Sequence, residues 1–400
     1  MKSFKCDVLV VGAGPAGLGA SIATSSRGLK TIIVEKSSEI GYPVKTSAVT
    51  WKEVLTSWNL PNDVVYQWYD SFYINSLHSK KSVQIKFKDH ISGALNYHRF
   101  LRELVFKAAE NGTMILPSER ITEPILDGDF VIGAKTTKRE IHSKIVIDCS
   151  GPNAVIGRKM NLIPKMNEME LGVGMEYEMV NYKVKNPRSM EFYVGQKEIV
   201  PVGYAWVFPL GRDRARVGVS TVFNIPEKIE VKNIKYWLDR FIYKKSPVYL
   251  RVKNAQPYEI HFGSYPLCGM LEKPYHNGLL LAGDSAAQAS MLIGEGIRYA
   301  LEFGKRAAYV ACDAIKRKDY SEDSLSEYVH KCHEYIGETF NVAMDLLQVP
   351  TDEYWDTLVE NIIRLKKEKK SNLVLKYLKT AMTYKDAECI FPEFKGKYIK

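Results

Sequence analysis

The hydrophobic rhythm of the first forty residues changes twice. Cys6–Val11 (CDVLVV) is a short apolar run that stops at glycine, the pattern of a strand buried on both faces. A stretch of helical character follows (LGASIATSSRGL), then a second apolar run, TIIVEK, ending in Glu35. Tyr97–Gly112 (YHRFLRELVFKAAENG) has helical spacing, with Phe100, Leu101, Leu104, Val105 and Ala108 on one face and Arg99 at its start. KIVIDCSGPNAVIGRKM reads as a strand and a Gly-Pro turn, and Leu279–Ala282 as another buried strand before a helix. Elsewhere the period is two. SVQIKFK alternates through Val83, Ile85 and Phe87, and MEFYV, YAWVFPL and ARVGVSTVF are further strand candidates. These elements predict an α/β protein. One discontinuous α/β domain comprises residues 1–50, 93–160 and 263–320, and an inserted, mainly antiparallel sheet domain comprises 51–92 and 161–262. A helical region rich in aromatics (Tyr335, Phe340, Tyr354, Trp355) follows over 321–400 and is expected to close one end of a cavity.

The turn after the first strand carries chemistry. GAGPAG sets Gly12, Gly14 and Gly17 in the GxGxxG spacing between strand and helix, with Glu35 at the end of the next strand. Gly12 permits the tight turn, Gly14 lets backbone approach a pyrophosphate, and Gly17 lets helix pack close to strand. The helix start offers N–H groups and partial positive charge to phosphates, and Glu35 can accept from a ribose hydroxyl. Asn277–Ala308 supplies a second half-site. Asp284 stands at a strand's C-terminal end, where it can accept from a ribityl chain, and Gly294–Ile297 (GEGI) opens a helix whose positive end suits reduced flavin. A nicotinamide would not need so distant a second half-site. No second GxGxxG unit is present, so electrons must come from transiently docked NAD(P)H or from a protein such as ferredoxin.

Taken together, the GxGPAG loop, the acid, Arg99, the strand–turn segment and the GD…GEGI segment resemble the flavoprotein fold of p-hydroxybenzoate hydroxylase and its relatives, over about residues 1–310. Asp148-Cys149-Ser150-Gly151 matches that pattern only loosely. The resemblance implies a Rossmann-like FAD domain and bound FAD. It implies contacts from Gly12, Gly14, Ala16, Gly17, Glu35, Arg99, Asp284, Gly296 and Ile297, with backbone near Ile121 against the adenine. Lys36, Gly283 and Gly294, within the same segments, complete the expected cofactor-binding set.

In YAWVFPL, Tyr204, Trp206 and Phe208 alternate and so face one side of a sheet, against either ordinary core or a ligand cavity. Pro201-x-x-Tyr204-x-Trp206-x-Phe208-Pro209 resembles the PxxYxWxFP pattern of the geranylgeranyl reductase family, which uses FAD to saturate isolated C=C bonds. The resemblance implies a prenyl lipid or prenylated quinone as substrate, with Trp206 and Phe208 as cavity walls and Tyr204 as wall or proton relay. Two departures stand out. Thr46 occupies the place of the family's cysteine, although Thr46, Ser47 and Val49 still border the FAD, and Ser290-Met291-Leu292-Ile293 precedes the Gly294-Glu295-Gly296 turn. Both bear on substrate identity. The alternatives are a flavin monooxygenase or halogenase, whose W-x-W-x-I-P motif is missing here, a non-catalytic prenyl-lipid-binding flavoprotein, and a redox-neutral cyclase.

Charge and composition add little against this reading. The 400 residues carry a net charge of +10, which suits an anionic substrate, an acidic redox partner or an anionic membrane surface. The basic residues are dispersed without a nucleic-acid motif, and RLKKEKK (Arg364–Lys370) reads as a solvated helix face, so no nucleic acid is expected. Six scattered cysteines without CxxC read as reduced thiols, and no metal site is expected. The N-terminal apolar run leads into a glycine turn, not a cleavage region, and no run approaches the ~18 residues of a spanning helix. The expected location is cytoplasmic, peripheral on the inner face of the cell membrane.

Overall fold

The computed structural model describes residues 3–163, 171–195, 199–200, 203–222, 234–244, 247–349 and 351–399. Pro201 and Val202, which open the aromatic motif, lie outside the described residues. A six-stranded sheet runs in the order Tyr275–His276, Leu279–Leu281, Ile145–Asp148, Val8–Val11, Thr31–Val34, Met114–Leu116. The last five strands are parallel. The inner four are buried at every residue, which is why they read as unbroken apolar runs. The chain starts mid-sheet and builds outward to Met114–Leu116 before crossing back to Ile145–Asp148. The crevice at that reversal, beyond the carboxyl ends of Val8–Val11 and Ile145–Asp148, is where such sheets bind ligands.

Helix Pro15–Ser25 packs across helix Ile297–Arg317 at unusually close range. A β-carbon added at Gly304 would sit 2.0 Å from the Ala16 carbonyl oxygen, and one at Gly19 2.6 Å from that of Leu301. Only glycine lets these helices approach so closely, and the contact aligns both helix starts on one crevice.

The second large sheet has seven strands: Gln256–Pro266, Leu171–Val180, Arg214–Val222, Gly203–Pro209, Ser189–Val194, Ser71–Ser76 and Ser82–Lys86. All pairs are antiparallel except Ser189–Val194 with Ser71–Ser76. Its faces divide by period two. Ala205, Val207, Val217 and Val219 pack with Leu238, Phe241 and Ile242 of helix Ile234–Tyr243, while Trp206 and Phe208 belong to the core on the other side. Two smaller sheets, of three and four strands, flank the large ones. Strands run through the expected boundaries. Gln256–Pro266 spans 262/263, and Val49–Trp51 pairs with Ser92–Leu95 across 50/51 and 92/93. Helices Thr351–Lys367 and Ser371–Leu378 follow in the C-terminal region; His78 and Lys81 of the sheet's edge pair with Asp356 (2.9 Å) and Glu360 (2.5 Å).

Candidate functional site

A cavity of about 480 Å³ lies between the two large sheets. The glycine loop and the aromatic strand both line it.

Gly12 takes a left-handed backbone (φ +95°), and a β-carbon there would stand 2.6 Å from the Cys149 carbonyl oxygen. At Gly14 an added β-carbon would meet nothing within 4 Å, so this backbone opens onto the cavity. Gly17 is a packing glycine: its β-carbon would fall 1.8 Å from the Gly12 carbonyl oxygen, and it does not line the cavity. Gly283 behaves likewise, held against Ala16. Glu35 ties the loop to the next strand, its carboxylate accepting from the backbone N–H groups of Ala13 (2.9 Å) and Ser37 (2.8 Å). Ala16, Lys36, Thr46, Ser47, Val49, Ile121, Gly294, Gly296 and Ile297 all line the cavity with Gly12, Gly14 and Glu35. Thr46 Oγ1 accepts from the Ala48 N–H at 3.1 Å, a short-range turn bond. Asp148, by contrast, is a fold residue. Its buried carboxylate accepts from Ser150, Ile156 and Gly157 and so fixes the loose Asp-Cys-Ser-Gly turn.

Arg99 is not brought to the cavity. Its guanidinium lies at the surface between Asp63 (3.2 Å) and Glu103 (2.9 Å), while Asn96 caps its helix by accepting from the Arg99 N–H. Tyr97, from the same first turn, lines the cavity instead.

Asp284 lines the cavity with a carboxylate that has no hydrogen-bond partner among the described residues, and burial pushes its pKa up to about 6. Thr50 Oγ1, also on the lining, is buried and unpartnered. An open glycine loop at a helix start, a free carboxylate, an unpartnered hydroxyl and the cations Lys36, Lys45 and Arg120 along the wall fit a dinucleotide carrying a polar ribityl chain. These residues would hold FAD.

On the aromatic wall the three alternating rings stand together. Tyr204 and Trp206 centroids are 5.7 Å apart, and Trp206 and Phe208 stack at 5.9 Å. Phe192 meets Tyr204 and Phe208 edge-on, and Trp355 reaches Tyr204 from the C-terminal helices, where Leu378 completes the wall. Tyr204 Oη donates to the Ile293 carbonyl at 2.6 Å, just before the GEGI turn, so its proton already has a fixed acceptor. Burial raises the Tyr204 pKa well above the ordinary tyrosine value.

A buried polar group lies under the rings, and local sequence pattern does not reveal it. Sheet register sets His261, Glu176, Gly218, Trp206 and Phe192 side by side across five strands. The indole lies flat over Gly218, where a β-carbon would be 2.3 Å from Trp206 Cζ2, and its Nε1–H donates to Glu176 Oε2 at 2.7 Å. The other carboxylate oxygen faces His261 Nδ1 at 2.7 Å. One row along, Glu178 accepts from Arg216 Nε at 2.8 Å, and Arg216 also donates to the carbonyls of Ser47 and Leu95, joining sheet to loop. Glu178, Glu259 and His261 place ligand atoms within 4.8 Å of one another, but the Arg216 guanidinium opposes a cation there. The alternation of Glu176 and Glu178 in LGVGMEYEMV signals a polar face, but their partners come from strands far along the chain.

Residues 170–261 match the family described as geranylgeranyl reductase catalytic domain, and residues 7–158 that of FAD-dependent oxidoreductase. The chain is 32% identical over 376 residues to a digeranylgeranylglycerophospholipid reductase of Methanosarcina acetivorans, covering 90% of this chain and 89% of that protein. It is 33% identical over 362 residues to that of Methanocaldococcus jannaschii, covering 88% and 90%. Among solved structures, a geranylgeranyl bacteriochlorophyll reductase-like protein from Thermoplasma acidophilum superposes with a TM-score of 0.83 at 25% identity, over 99% of this chain and 97% of that one. The flavin-dependent brominase Bmp2 shares the fold (TM-score 0.76, 18% identity, 94% of each chain). With its nucleotide-binding loop and its aromatic strand on one cavity, this chain belongs to the geranylgeranyl reductase family of FAD-dependent oxidoreductases.

Proposed function

We propose that the protein saturates isolated C=C bonds in the geranylgeranyl chains of archaeal-type glycerophospholipids. The observation that carries this reading is the shared cavity: Tyr204, Trp206, Phe208 and Phe192 face the space that the GxGxxG loop opens onto. Bound FAD supplies hydride-transfer chemistry. The chain's own residues do the rest. Gly14 and its loop seat phosphates, and Asp284 accepts hydroxyls. The apolar wall desolvates the chain, at about 0.8 kcal/mol per buried methylene, or roughly 4 kcal/mol per five-carbon unit. An unactivated trisubstituted alkene has no carbonyl to polarise, so positive charge builds on its tertiary carbon as a proton arrives. The faces of Trp206, Tyr204 and Phe208 attract that charge. Because Tyr204 is tied to Ile293, it acts in this reading as a wall and not as the proton relay.

An external donor, ferredoxin or NAD(P)H, must restore the electrons. The net charge of +10 supports an acidic protein partner. No helix among the described residues is long and apolar enough to cross a membrane. Peripheral contact with anionic headgroups is the proposed route to a lipid substrate.

The test is anaerobic incubation of chemically reduced protein with geranylgeranylated glycerophospholipid, read by mass spectrometry. Gain of two hydrogens per double bond supports the reading. Incorporation of oxygen or halogen, an isomeric product, or unchanged lipid with stoichiometric binding overturns it.

A further inference from the structure

Saturating an alkene by hydride transfer also consumes one proton per bond. Around the rings the lining carries hydroxyls already committed, Tyr204 to the Ile293 carbonyl and Ser220 with Tyr265 at 2.8 Å, and one buried acid–base pair, Glu176 with His261. Both side chains are 2% exposed, both residues line the cavity, and both are strand residues held in register under the indole of Trp206. His261 Nδ1 faces Glu176 at 2.7 Å, and its Nε2, with no well-aligned hydrogen bond, faces Glu259 at 3.3 Å. The Glu259 side chain is 33% exposed. Part-exposed carboxylate, buried imidazole and cavity-lining carboxylate therefore follow one another, each within a short step of the next.

We infer that Glu259, His261 and Glu176 form a proton inlet from solvent to the cavity, ending at the aromatic wall, and that Glu176 delivers the proton that accompanies each hydride. This rests on the reductase reading above. The balance is simple. A hydride from a reduced flavin forms one C–H bond, the Glu176 carboxyl proton forms the other, and the alkene π bond is spent. The flavin is oxidised by two electrons. Imidazolium His261 passes its Nδ1 proton to Glu176, the neutral ring left behind shifts its remaining proton from Nε2 to Nδ1 by tautomer exchange, and Nε2 then takes a proton from solvent by way of Glu259. The proton path is thus set apart from Tyr204.

The surroundings suit an imidazole that carries a proton. Burial opposes the imidazolium, but the hydrogen bond and charge of Glu176 outweigh it and lift the His261 pKa above the ordinary histidine value. Arg216, 3.9 Å from Glu176, pulls the other way, while Glu259 adds to the lift. The remaining groups around the pair are already committed. Glu178 is bonded to Arg216 and Tyr258, the Trp206 N–H to Glu176, and Tyr69 Oη to the Pro209 carbonyl.

The test compares parent, Glu176→Gln and Glu259→Gln. Glutamine keeps the shape at 176 but holds no transferable carboxyl proton. Flavin absorbance and lipid binding should stay as in the parent, and lipid saturation should fall about 100-fold or more for Glu176→Gln, the scale of a lost general acid. Glu259→Gln, at a part-exposed side chain that folding tolerates, should slow saturation several-fold and enlarge the solvent deuterium effect. Independently of turnover, the His261 imidazole should titrate at lower pH in flavin-free Glu176→Gln, followed by NMR. Parent-like rates and pH profiles in both variants, or an unmoved His261 titration, would overturn the inlet alone. A parent that saturates no prenyl lipid would overturn the reductase reading and the inlet with it.

Discussion

Gly218 is the residue on which the aromatic wall can be tested most directly. Replacing it with alanine puts a methyl group 2.3 Å from Trp206 Cζ2, 2.4 Å from Cε2 and 2.6 Å from Glu176 Cβ. The indole must lift, and its bond to Glu176, 2.7 Å long and buried, breaks. Overpacking costs about 1–3 kcal/mol, and a buried hydrogen bond to a charged group contributes about 1.5–3 kcal/mol. We expect a loss of about 3–5 kcal/mol. A chain of 400 residues unfolds with an entropy of roughly 0.8 kcal/mol/K. The thermal midpoint should therefore drop by about 4–6 °C. In a Trp206→Phe background the indole and its bond are already gone, and only the contact with Glu176 remains, so Gly218→Ala should cost about 1–2 kcal/mol. The assay is a double-mutant cycle of flavin-free protein, melted by far-ultraviolet circular dichroism, with lipid saturation measured on the flavin-loaded forms. Equal midpoint drops in both backgrounds, or none in the parent, would refute the argument that glycine is there to seat the indole.

Three further outcomes are expected. Asp284 has a folded pKa raised to about 6 by burial, against about 3.9 unfolded. A raised acid holds its proton longer when folded, so its full contribution is present below about pH 4 and is lost between about pH 4 and 6. Flavin-free Asp284→Asn should lack that loss, and denaturation at a series of pH values checks it; parallel curves for parent and variant would count against it. Tyr204→Phe removes the bond to Ile293, so stability should fall by about 1 kcal/mol while lipid saturation stays within a few-fold of the parent, and a collapse of turnover would restore Tyr204 as the relay. Gly304→Ala drives a methyl into the Ala16 carbonyl; flavin affinity should fall, by titration of flavin absorbance, because the helix starts separate.

The parts of the site that could be read from sequence are those written within one turn or one strand. GAGPAG, Glu35 and Asp284 declare themselves by spacing, and the alternation of Tyr204, Trp206 and Phe208 fixes their shared face. Arg99 shows where local reading stops. Its place at a helix start is visible, but the carboxylates of Asp63 and Glu103 that hold it at the surface enter only with the fold. The Glu176–His261 pair depends on sheet register across 85 residues of chain, and no periodicity carries that. Leu378 reaches the cavity, and Trp355 the Tyr204 ring behind it, from helices whose docking is a tertiary matter.

The interleaving of the two large sheets has a consequence for how the molecule is made. The polypeptide leaves the nucleotide sheet after Thr31–Val34, threads Ser71–Lys86 into the other, returns for Met114–Leu116 and Ile145–Asp148, departs again and comes home at Leu279–Leu281. Neither half is a removable cassette. A ribosome must emit nearly three-quarters of the chain before the fifth parallel strand can dock, so the nascent protein waits with an open hydrophobic edge, and a lipid-facing wall cannot be transplanted without the flavin cradle that is woven through it.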